Sequence, residues 1–303
     1  MQRSLAQLLF AAVLLLASSG VHAQSTQSLD AFAHPESVVI DAGTGTAYVS
    51  NIGTDLAPMS KDGDGFISKV TPDGIIESLR FLPRDSTEAL HAPKGMAILA
   101  GTLYVADVDR IVGFDLSTRA QVFAVDLSGF GTQFLNGLAV FDGRTLLASA
   151  TDIGTVFRVP VGDPPEATVV VEGIEGVNGV HVDSDNVLYT VSFGGDGGLR
   201  QIPLDAYATP TGSTALLSTE GTQLDGLALL PDGRILVSDW TGDDETNAGA
   251  MRVFIPGRES LRSLPMPEPV QGPADFYYDA EASRLWVPAL PESRVVIMPL
   301  AVD

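Results

Sequence analysis

A recurring position in this chain carries side chains that could bind a cation or take part in acid–base chemistry. Each member stands directly before a short apolar stretch, and four of the six are followed by glycine. The six residues, called the lead residues below, are Glu36, Lys94, Asn136, Asn178, Asp225 and Asp275. An isolated Asn-Gly or Asp-Gly would indicate only a hairpin turn. The shared register instead predicts that the lead residues meet at one site.

The elements that position the lead residues form a repeat of hairpins. The intervals between successive lead residues are 58, 42, 42, 47 and 50 residues. Each apolar stretch is followed by a turn and a second strand, for example Leu103-Tyr104-Val105-Ala106-Asp107, and two further strand-like runs follow in most repeats. Four-stranded units of about 40–50 residues are typical of β-propeller blades. A β-sandwich is the alternative, but it does not require six equivalent polar positions.

The ends of the chain complete the count of repeats. The 28 residues after Asp275 and the 13 residues from Gln24 to Glu36 together amount to 41 residues, close to one more period. The sequence therefore predicts an all-β, six-bladed propeller in which both termini share a blade. Residues 24–303 would form this single domain.

The types of four lead residues suggest a specific ligand chemistry. Glu36 and Asp225 offer carboxylates, and Asn136 and Asn178 offer amide oxygens. Hard cations such as Ca²⁺ and Mg²⁺ prefer oxygen ligands of this kind. Tetrahedral Zn²⁺ is less favoured because no Cys or His occupies a lead position. A bound divalent cation could polarise a carbonyl group and lower the pKa of a bound water.

Residues 1–23 have the pattern of a secretory signal peptide. Arg3 precedes an apolar run from Leu8 to Ala17, and Val21-His22-Ala23 resembles a cleavage site. The apolar run is about half of the ~20 residues that span a bilayer. We therefore expect a periplasmic or secreted protein that has no membrane contact after cleavage.

Charge and composition exclude several function classes. The full chain has a net charge of −21 and contains no cysteine. The negative charge argues against nucleic acid and anionic lipid as partners. The absence of cysteine excludes a cysteine nucleophile and thiolate metal sites. A small-molecule substrate is the expected partner, and the sequence does not indicate an oligomeric state.

Three motifs carry a resemblance to a known family. Pro35-Glu36-Ser37, the segment Ala92-Pro93-Lys94-Gly95-Met96-Ala97 and Leu135-Asn136-Gly137 resemble the secreted bacterial branch of the gluconolactonase/regucalcin-like six-bladed propellers, the family of senescence marker protein. The resemblance covers essentially the whole chain after residue 23. It implies hydrolysis of a small lactone or ester, such as a sugar lactone, with a divalent cation on the propeller axis. Ca²⁺ is favoured, with Mg²⁺, Mn²⁺ and Zn²⁺ as alternatives.

The resemblance also assigns roles to individual residues. It implies that Glu36, Asn178 and Asp225 bind the metal, that Asp225 is also the base for the attacking water, and that Asn136 faces the substrate. Lys94 departs from the family pattern. It could repel or replace the cation by pairing with Glu36 or Asp225, bind the substrate, or act in catalysis by stabilising an oxyanion. Asp275 adds a third carboxylate, which we assign to substrate binding.

The same residues allow a second interpretation. The lead residues could form a structural polar ring inside a non-catalytic propeller that binds a small molecule or a protein, since one fold hosts many functions. Asp107 and Asp239 end second strands and are expected to cap backbone N–H groups instead of taking part in chemistry.

Overall fold

The computed structural model describes residues 25–162, 164–195, 198–218, 222–242, 248–258 and 260–300. The signal peptide predicted for residues 1–23 lies outside these described residues. The strands, in chain order, are β1 (Gln27–Asp30), β2 (Pro35–Ile40), β3 (Ala47–Asn51), β4 (Phe66–Val70), β5 (Ile76–Leu82), β6 (Pro93–Leu99), β7 (Thr102–Asp107), β8 (Arg110–Asp115), β9 (Gln121–Asp126), β10 (Leu135–Asp142), β11 (Thr145–Ala150), β12 (Thr155–Pro160), β13 (Thr168–Val171), β14 (Val177–Val182), β15 (Val187–Ser192), β16 (Gly198–Pro203), β17 (Thr214–Ser218), β18 (Leu224–Leu229), β19 (Ile235–Asp239), β20 (Ala250–Phe254), β21 (Leu261–Ser263), β22 (Tyr277–Asp279), β23 (Arg284–Ala289) and β24 (Arg294–Pro299).

These strands form six antiparallel sheets of four strands each. Blades I to V are consecutive meanders: β2–β5, β6–β9, β10–β13, β14–β17 and β18–β21. Blade VI has the order β22-β23-β24-β1, so the first strand of the chain is the outer strand of the last blade. Leu29 of β1 lies opposite Val295 of β24 in this sheet. The predicted six-bladed propeller is confirmed, including the shared blade of the two termini.

The strands of a blade differ in burial in the way that their sequences predict. The inner strand β6 is buried over its first five residues, since it packs between neighbouring blades. The outer strand β9 alternates between exposed and less exposed residues, as expected for an edge strand with one face toward solvent. An innermost strand is therefore buried on both faces, and a polar side chain needs a local irregularity of the strand to reach the propeller axis.

The hydrophobic core is divided among the interfaces between blades. Six clusters of the described residues each fill the space between two neighbouring blades. At the junction of blades VI and I, for example, Trp286 and Ile297 pack with Val49 and the N-terminal Leu29. Burial of such side chains stabilises a fold by about 1.5–3 kcal/mol each. Closure of the ring by β1 thus adds apolar contacts as well as strand pairing.

Helical structure in the described residues is limited to three short 3₁₀ turns. They are Ser86–Glu88, Ser128–Phe130 and Leu290–Glu292. Among the described residues, no helix has the length and apolar character needed to cross a membrane.

Candidate functional site

The lead residues of blades I to V all lie in a β-bulge at the start of the innermost strand. In each blade two residues of the inner strand oppose a single residue of the second strand. The bulged pairs are Glu36-Ser37, Lys94-Gly95, Asn136-Gly137, Asn178-Gly179 and Asp225-Gly226. A bulge re-aims one side chain out of the regular alternation of a strand. This repeated irregularity is what brings polar side chains to the centre of an otherwise apolar ring.

Serine hydroxyl groups satisfy the backbone at three of these bulges. Ser149 and Ser238, on second strands, accept the N–H groups of Gly137 and Gly226 at 2.8 Å. Ser238 Oγ also donates to the carbonyl group of Ala274 in the next blade at 2.9 Å. At the bulge of blade I, Ser50 Oγ accepts the N–H group of Ser37 at 2.9 Å. These three bulges therefore each have a backbone N–H group paired, and Ser238 also joins two neighbouring blades next to the axis.

The glycine that follows a lead residue is required by the close approach of the next blade. A Cβ atom on Gly179 would lie 2.3 Å from the carbonyl oxygen of Asp225, and one on Gly95 would lie 2.4 Å from that of Asn136. Neither glycine has a positive φ. The sequence pattern suggests that glycine permits a tight backbone turn into the strand. In the structure, glycine is needed because the backbone of the lead residue in the next blade lies against it.

Five lead residues line one cavity at the end of the propeller axis. The cavity has a volume of about 200 Å³. Its polar lining residues are Glu36, Lys94, Asn136, Asn178 and Asp225. All five are almost inaccessible to solvent, with exposed fractions between 1% and 4%. The structure thus brings together the five predicted residues that come from blades I to V.

Four buried oxygen atoms in this group have no hydrogen-bond partner among the described residues. They are Glu36 Oε2, Asn136 Oδ1, Asn178 Oδ1 and Asp225 Oδ1. A buried, unpaired acceptor costs about 1–3 kcal/mol of stability, and a charged one costs more. Four unpaired acceptors at one cavity are unusual in a folded protein, where buried polar atoms are normally paired. The arrangement indicates that these atoms serve a ligand.

The chemistry of these four atoms fits a hard divalent cation. Two carboxylate and two amide oxygens are the ligand types that Ca²⁺ and Mg²⁺ prefer. No group of three or more His, Cys, Asp or Glu side chains in the described part of the chain is placed to hold a metal ion. A cation at this site would therefore depend on the two asparagines as well as on Glu36 and Asp225.

Burial and neighbouring carboxylates favour the protonated forms of the two acidic residues in the cavity. Burial, and then the nearby carboxylates of Asp225 and Asp275, raise the pKa of Glu36 well above its ordinary value. Lys94 partly opposes this shift of the Glu36 pKa. Burial and the charge of Asp275 likewise raise the pKa of Asp225 well above its ordinary value. The indole N–H of Trp240 lies close enough to oppose the shift, although no hydrogen bond of standard geometry joins the two groups.

Lys94 lines the cavity, and its ammonium group binds backbone carbonyl groups instead of a carboxylate. Its Nζ donates to the carbonyl oxygens of Pro58 at 2.7 Å and Ala92 at 3.0 Å, and lies 4.9 Å from the ring centre of Phe134. Among the described residues it forms no ion pair with Glu36 or Asp225 within 4.0 Å. Burial lowers the pKa of Lys94 to about 8, against the opposing effect of nearby carboxylates. The two carbonyl groups compensate for the burial of the charge.

Asp275 is placed differently from the other lead residues. It does not line the 200 Å³ cavity but a depression of about 350 Å³ formed by inner-strand residues. Its carboxylate accepts a hydrogen bond from Ser37 Oγ at 2.7 Å, and its backbone N–H donates to the carbonyl oxygen of Glu36 at 3.0 Å. Burial raises the pKa of Asp275 to about 6. The substrate role assigned to Asp275 from the sequence stays a prediction that this placement does not support.

Sequence reasoning missed the apolar residues that form the walls of the cavity. The walls comprise Ile52, Leu56, Pro58, Phe134, Phe193, Trp240 and Leu290. Four of these share a register, since Ile52, Phe193, Trp240 and Leu290 each come directly after the second strand of a blade. The repeat alignment that identified the lead residues could therefore have identified this second ring as well.

Asp107 and Asp239 have the structural role that their position predicts. Asp107 Oδ1 accepts the N–H groups of His91 and Ala92 at 2.9 Å, and Asp239 Oδ1 accepts that of Gln223 at 3.2 Å. The second carboxylate oxygens pair with arginines: that of Asp107 with Arg110 and that of Asp239 with Arg252, both at 2.7 Å. Both aspartates are fully buried and neither lines the cavity.

Comparisons with known proteins support the fold alone. No family model and no curated protein matches the chain. Among solved structures, luciferin-regenerating enzyme is similar with a TM-score of 0.65 and 15% identity, over 92% of this chain and 97% of that one. Virginiamycin B lyase from Staphylococcus aureus has a TM-score of 0.61 and 12% identity, over 91% and 99%. The β-propeller domain of Cps50 (Swd1) from Myceliophteria thermophila has a TM-score of 0.61 and 10% identity, over 91% and 100%. The class that fold and site define is a six-bladed propeller with a buried polar cavity on its axis.

Proposed function

We propose that this protein is a metal-dependent hydrolase of the lactonase type that acts on a small lactone or ester. The observation that carries the proposal is the group of four buried oxygens without hydrogen-bond partners at one cavity. The neighbours in structure that are enzymes by name, luciferin-regenerating enzyme and virginiamycin B lyase, are compatible with such an activity. The predicted signal peptide adds that the enzyme works in the periplasm or outside the cell.

Glu36, Asn178 and Asp225 would hold the cation, with Ca²⁺ as the first candidate. Asn136 would face the substrate. When bound, the cation would supply positive charge that polarises the acyl carbonyl and lowers the pKa of a water. After the larger effect of burial, the charge of Asp275 contributes to the raised pKa values of both Glu36 and Asp225, and this concentration of negative charge supports the assignment because it favours a positive ion.

Asp225 is the base in this proposal. Its carboxylate is buried, and a bound cation would keep it ionised by offsetting the burial that raises its pKa, so the oxygen that does not bind the cation can accept a proton from the attacking water. The water oxygen then bonds to the acyl carbon, the C–O bond to the leaving oxygen breaks, and the proton passes to that oxygen. General base catalysis of this kind contributes about 10²–10⁴-fold to a rate.

Lys94 would stabilise negative charge on the acyl oxygen. A lysine ammonium has three N–H donors, of which Pro58 and Ala92 take two. The third is available to the cavity that Lys94 lines. A buried donor at a developing oxyanion is a common source of catalysis.

The test combines metal analysis with a substrate panel. Purified protein is assayed for bound metal, treated with chelator and re-titrated with Ca²⁺, Mg²⁺, Mn²⁺ and Zn²⁺ while the melting temperature is followed. Hydrolysis of sugar lactones, alkyl lactones and simple esters is measured before and after chelation. We expect a cation-dependent rise in melting temperature, as for any ligand that binds only the native state, and hydrolysis that chelation abolishes. Binding of a cation without hydrolysis of any substrate would favour the non-catalytic binding propeller.

A further inference from the structure

The polar and apolar residues that line the axial cavity come from different positions in the blades. The polar lead residues lie at the start of innermost strands, whereas the six wall residues lie in the segments between strands: Ile52, Leu56, Phe134, Phe193, Trp240 and Leu290. Phe193 and Trp240 pack edge to face with ring centres 5.2 Å apart, so this part of the wall is a fixed aromatic surface. The indole N–H of Trp240 is the one side-chain hydrogen-bond donor among these six described wall residues.

We infer that the substrate of this cavity is a lactone or ester with an apolar alkyl or aryl substituent, and not a polyhydroxylated sugar lactone. The inference rests on the proposed hydrolase function and specifies its substrate class. A lactone carbonyl can meet the polar lead residues, while the remainder of the molecule contacts the apolar walls. The hydroxyl groups of a sugar lactone would instead be buried against carbon atoms, and a buried hydroxyl group without a partner is unfavourable.

Most polar groups of the cavity have a use in the proposed reaction. The unpaired oxygens of Glu36, Asn178 and Asp225 would bind the cation, and two of the three Lys94 N–H donors are taken by the carbonyl groups of Pro58 and Ala92. The third Lys94 N–H can donate to one substrate carbonyl group. The few groups that remain do not provide the distributed donors and acceptors that sugar recognition needs.

One described wall residue of the cavity is both apolar and well exposed. Leu56 lines the cavity and is still 47% exposed, on the loop between β3 and β4. Leu56 therefore contributes both to the cavity wall and to the protein surface. A substrate substituent that extends out of the cavity would stay in contact with this apolar side chain. The cavity volume of about 200 Å³ is below the ~300–1,000 Å³ of sites for drug-sized ligands, which limits the enclosed part to a small group.

The kinetic experiment compares substrates that differ only in this substituent. Values of kcat/KM are measured for δ-valerolactone, for δ-lactones with alkyl chains of one to five carbons, and for glucono-δ-lactone. We expect kcat/KM to rise about fourfold per methylene until the cavity is filled, and the best alkyl lactone to exceed the sugar lactone by at least about 100-fold. A sugar lactone turned over as well as the alkyl lactones would overturn the inference.

Two matched variants on the loop between β3 and β4 test whether the preference for alkyl lactones depends on the cavity wall. Leu56→Ser is expected to lower kcat/KM for the five-carbon alkyl lactone about tenfold more than it lowers kcat/KM for unsubstituted δ-valerolactone. Met59→Ser is the control, since Met59 is 56% exposed and does not line the cavity. Equal effects of the two variants on the alkyl lactone would contradict the inference.

A binding measurement separates this inference from the hydrolase proposal. Lactams are hydrolysis-resistant analogues of lactones, and their binding can be followed through the fluorescence of Trp240 in the cavity wall. If no substrate is hydrolysed, the hydrolase proposal fails, but tighter binding of alkyl δ-lactams than of gluconolactam still supports the apolar ligand class. Equal or weaker binding of the alkyl lactams overturns it, whatever the outcome of the activity assay.

Discussion

The ammonium group of Lys94 donates a hydrogen bond of 2.7 Å to the carbonyl oxygen of Pro58. This contact joins the innermost strand of blade II to the loop between β3 and β4 of blade I, over 36 positions of sequence. Pro58 lines the same cavity as Lys94. A lysine at a position where the other blades carry Glu, Asn or Asp thus holds a cavity wall in place.

Replacement of this lysine tests its structural contribution. Lys94→Met leaves the Pro58 and Ala92 carbonyl groups without a donor, and we expect a loss of about 1–3 kcal/mol in the free energy of unfolding. The cation-dependent rise in melting temperature should persist, because Lys94 contributes no ligand. Urea unfolding with and without Ca²⁺ measures both quantities.

Lys69→Met is the matched control for that variant. Lys69 lies on β4 and pairs with Glu77, whose side chain is 52% exposed. Loss of such a surface pair costs about 0–1 kcal/mol. A Lys94→Met protein as stable as Lys69→Met, or one that no longer responds to any cation, would contradict the structural role of Lys94.

The close contact between neighbouring blades at the axis predicts that two glycines differ in how much stability is lost when each is replaced by alanine. Gly179→Ala places a Cβ atom 2.3 Å from the Asp225 carbonyl oxygen, whereas Gly143 has no atom within 4 Å of that position. We expect Gly179→Ala to lower the free energy of unfolding by about 1–3 kcal/mol, since such crowding must be relieved by backbone movement. Gly143→Ala should change it by less than about 0.5 kcal/mol. Similar stabilities of the two variants in urea unfolding would argue against the close approach.

The repeat register was sufficient to predict the fold and the five polar residues of the cavity. Lead residues at intervals of 42 to 58 residues identified the blades, and the residue count at both ends identified the shared blade VI. This succeeded because a propeller places equivalent positions of every repeat at one axis. Asn136 and Asn178, each followed by glycine, could be told apart from ordinary hairpin turns for the same reason.

Contacts between distant segments could not be predicted in the same way. The partner of Lys94 is a loop carbonyl, which no sequence pattern encodes. Asp275 shares the register of the other lead residues, yet Ser37 binds its carboxylate and it lines a different depression. The steric requirement for glycine at position 179 likewise depends on the position of the Asp225 backbone in the next blade.

Two buried aspartates should respond in opposite ways to the same substitution. Asp225→Asn replaces a carboxylate whose pKa is raised by burial, so chelated protein should keep or gain stability, while turnover falls by about 10²–10⁴-fold. Asp239→Asn removes the negative charge that pairs with the mostly buried Arg252 and should cost about 3–5 kcal/mol of stability. Its turnover, measured where the variant is folded, should stay near that of the wild type. Loss of turnover in Asp239→Asn alone would contradict the assignment of the base.

The pKa of Asp275 predicts a specific dependence of stability on pH. Burial raises this pKa to about 6 in the folded protein, above the ordinary value of 3.8. The native state then binds more protons than the unfolded state between these values, so stability falls as pH rises from about 4 to 6. Asp275→Asn should remove this loss and stabilise chelated protein at pH 7 by up to about 3 kcal/mol.

Urea unfolding of chelated wild type and Asp275→Asn at pH 4 and pH 7 measures the effect. The gain should be present at pH 7 and much smaller at pH 4, where the carboxyl group is protonated in the folded wild type and only about half ionised in the unfolded chain. A gain of equal size at both pH values would show that charge on Asp275 is not its cause.

The central claim is that the axial oxygens form a divalent cation site, and calorimetric titration of chelated protein with Ca²⁺ tests it most directly. The comparison uses wild type, Glu36→Gln and, as control, Glu77→Gln, whose carboxylate is 52% exposed and pairs with Lys69. We predict one Ca²⁺ site in wild type and Glu77→Gln, weakened at least about tenfold in Glu36→Gln because one charged ligand is lost. Absence of binding by wild type to Ca²⁺, Mg²⁺, Mn²⁺ and Zn²⁺ alike, or equal affinity in Glu36→Gln, would contradict it.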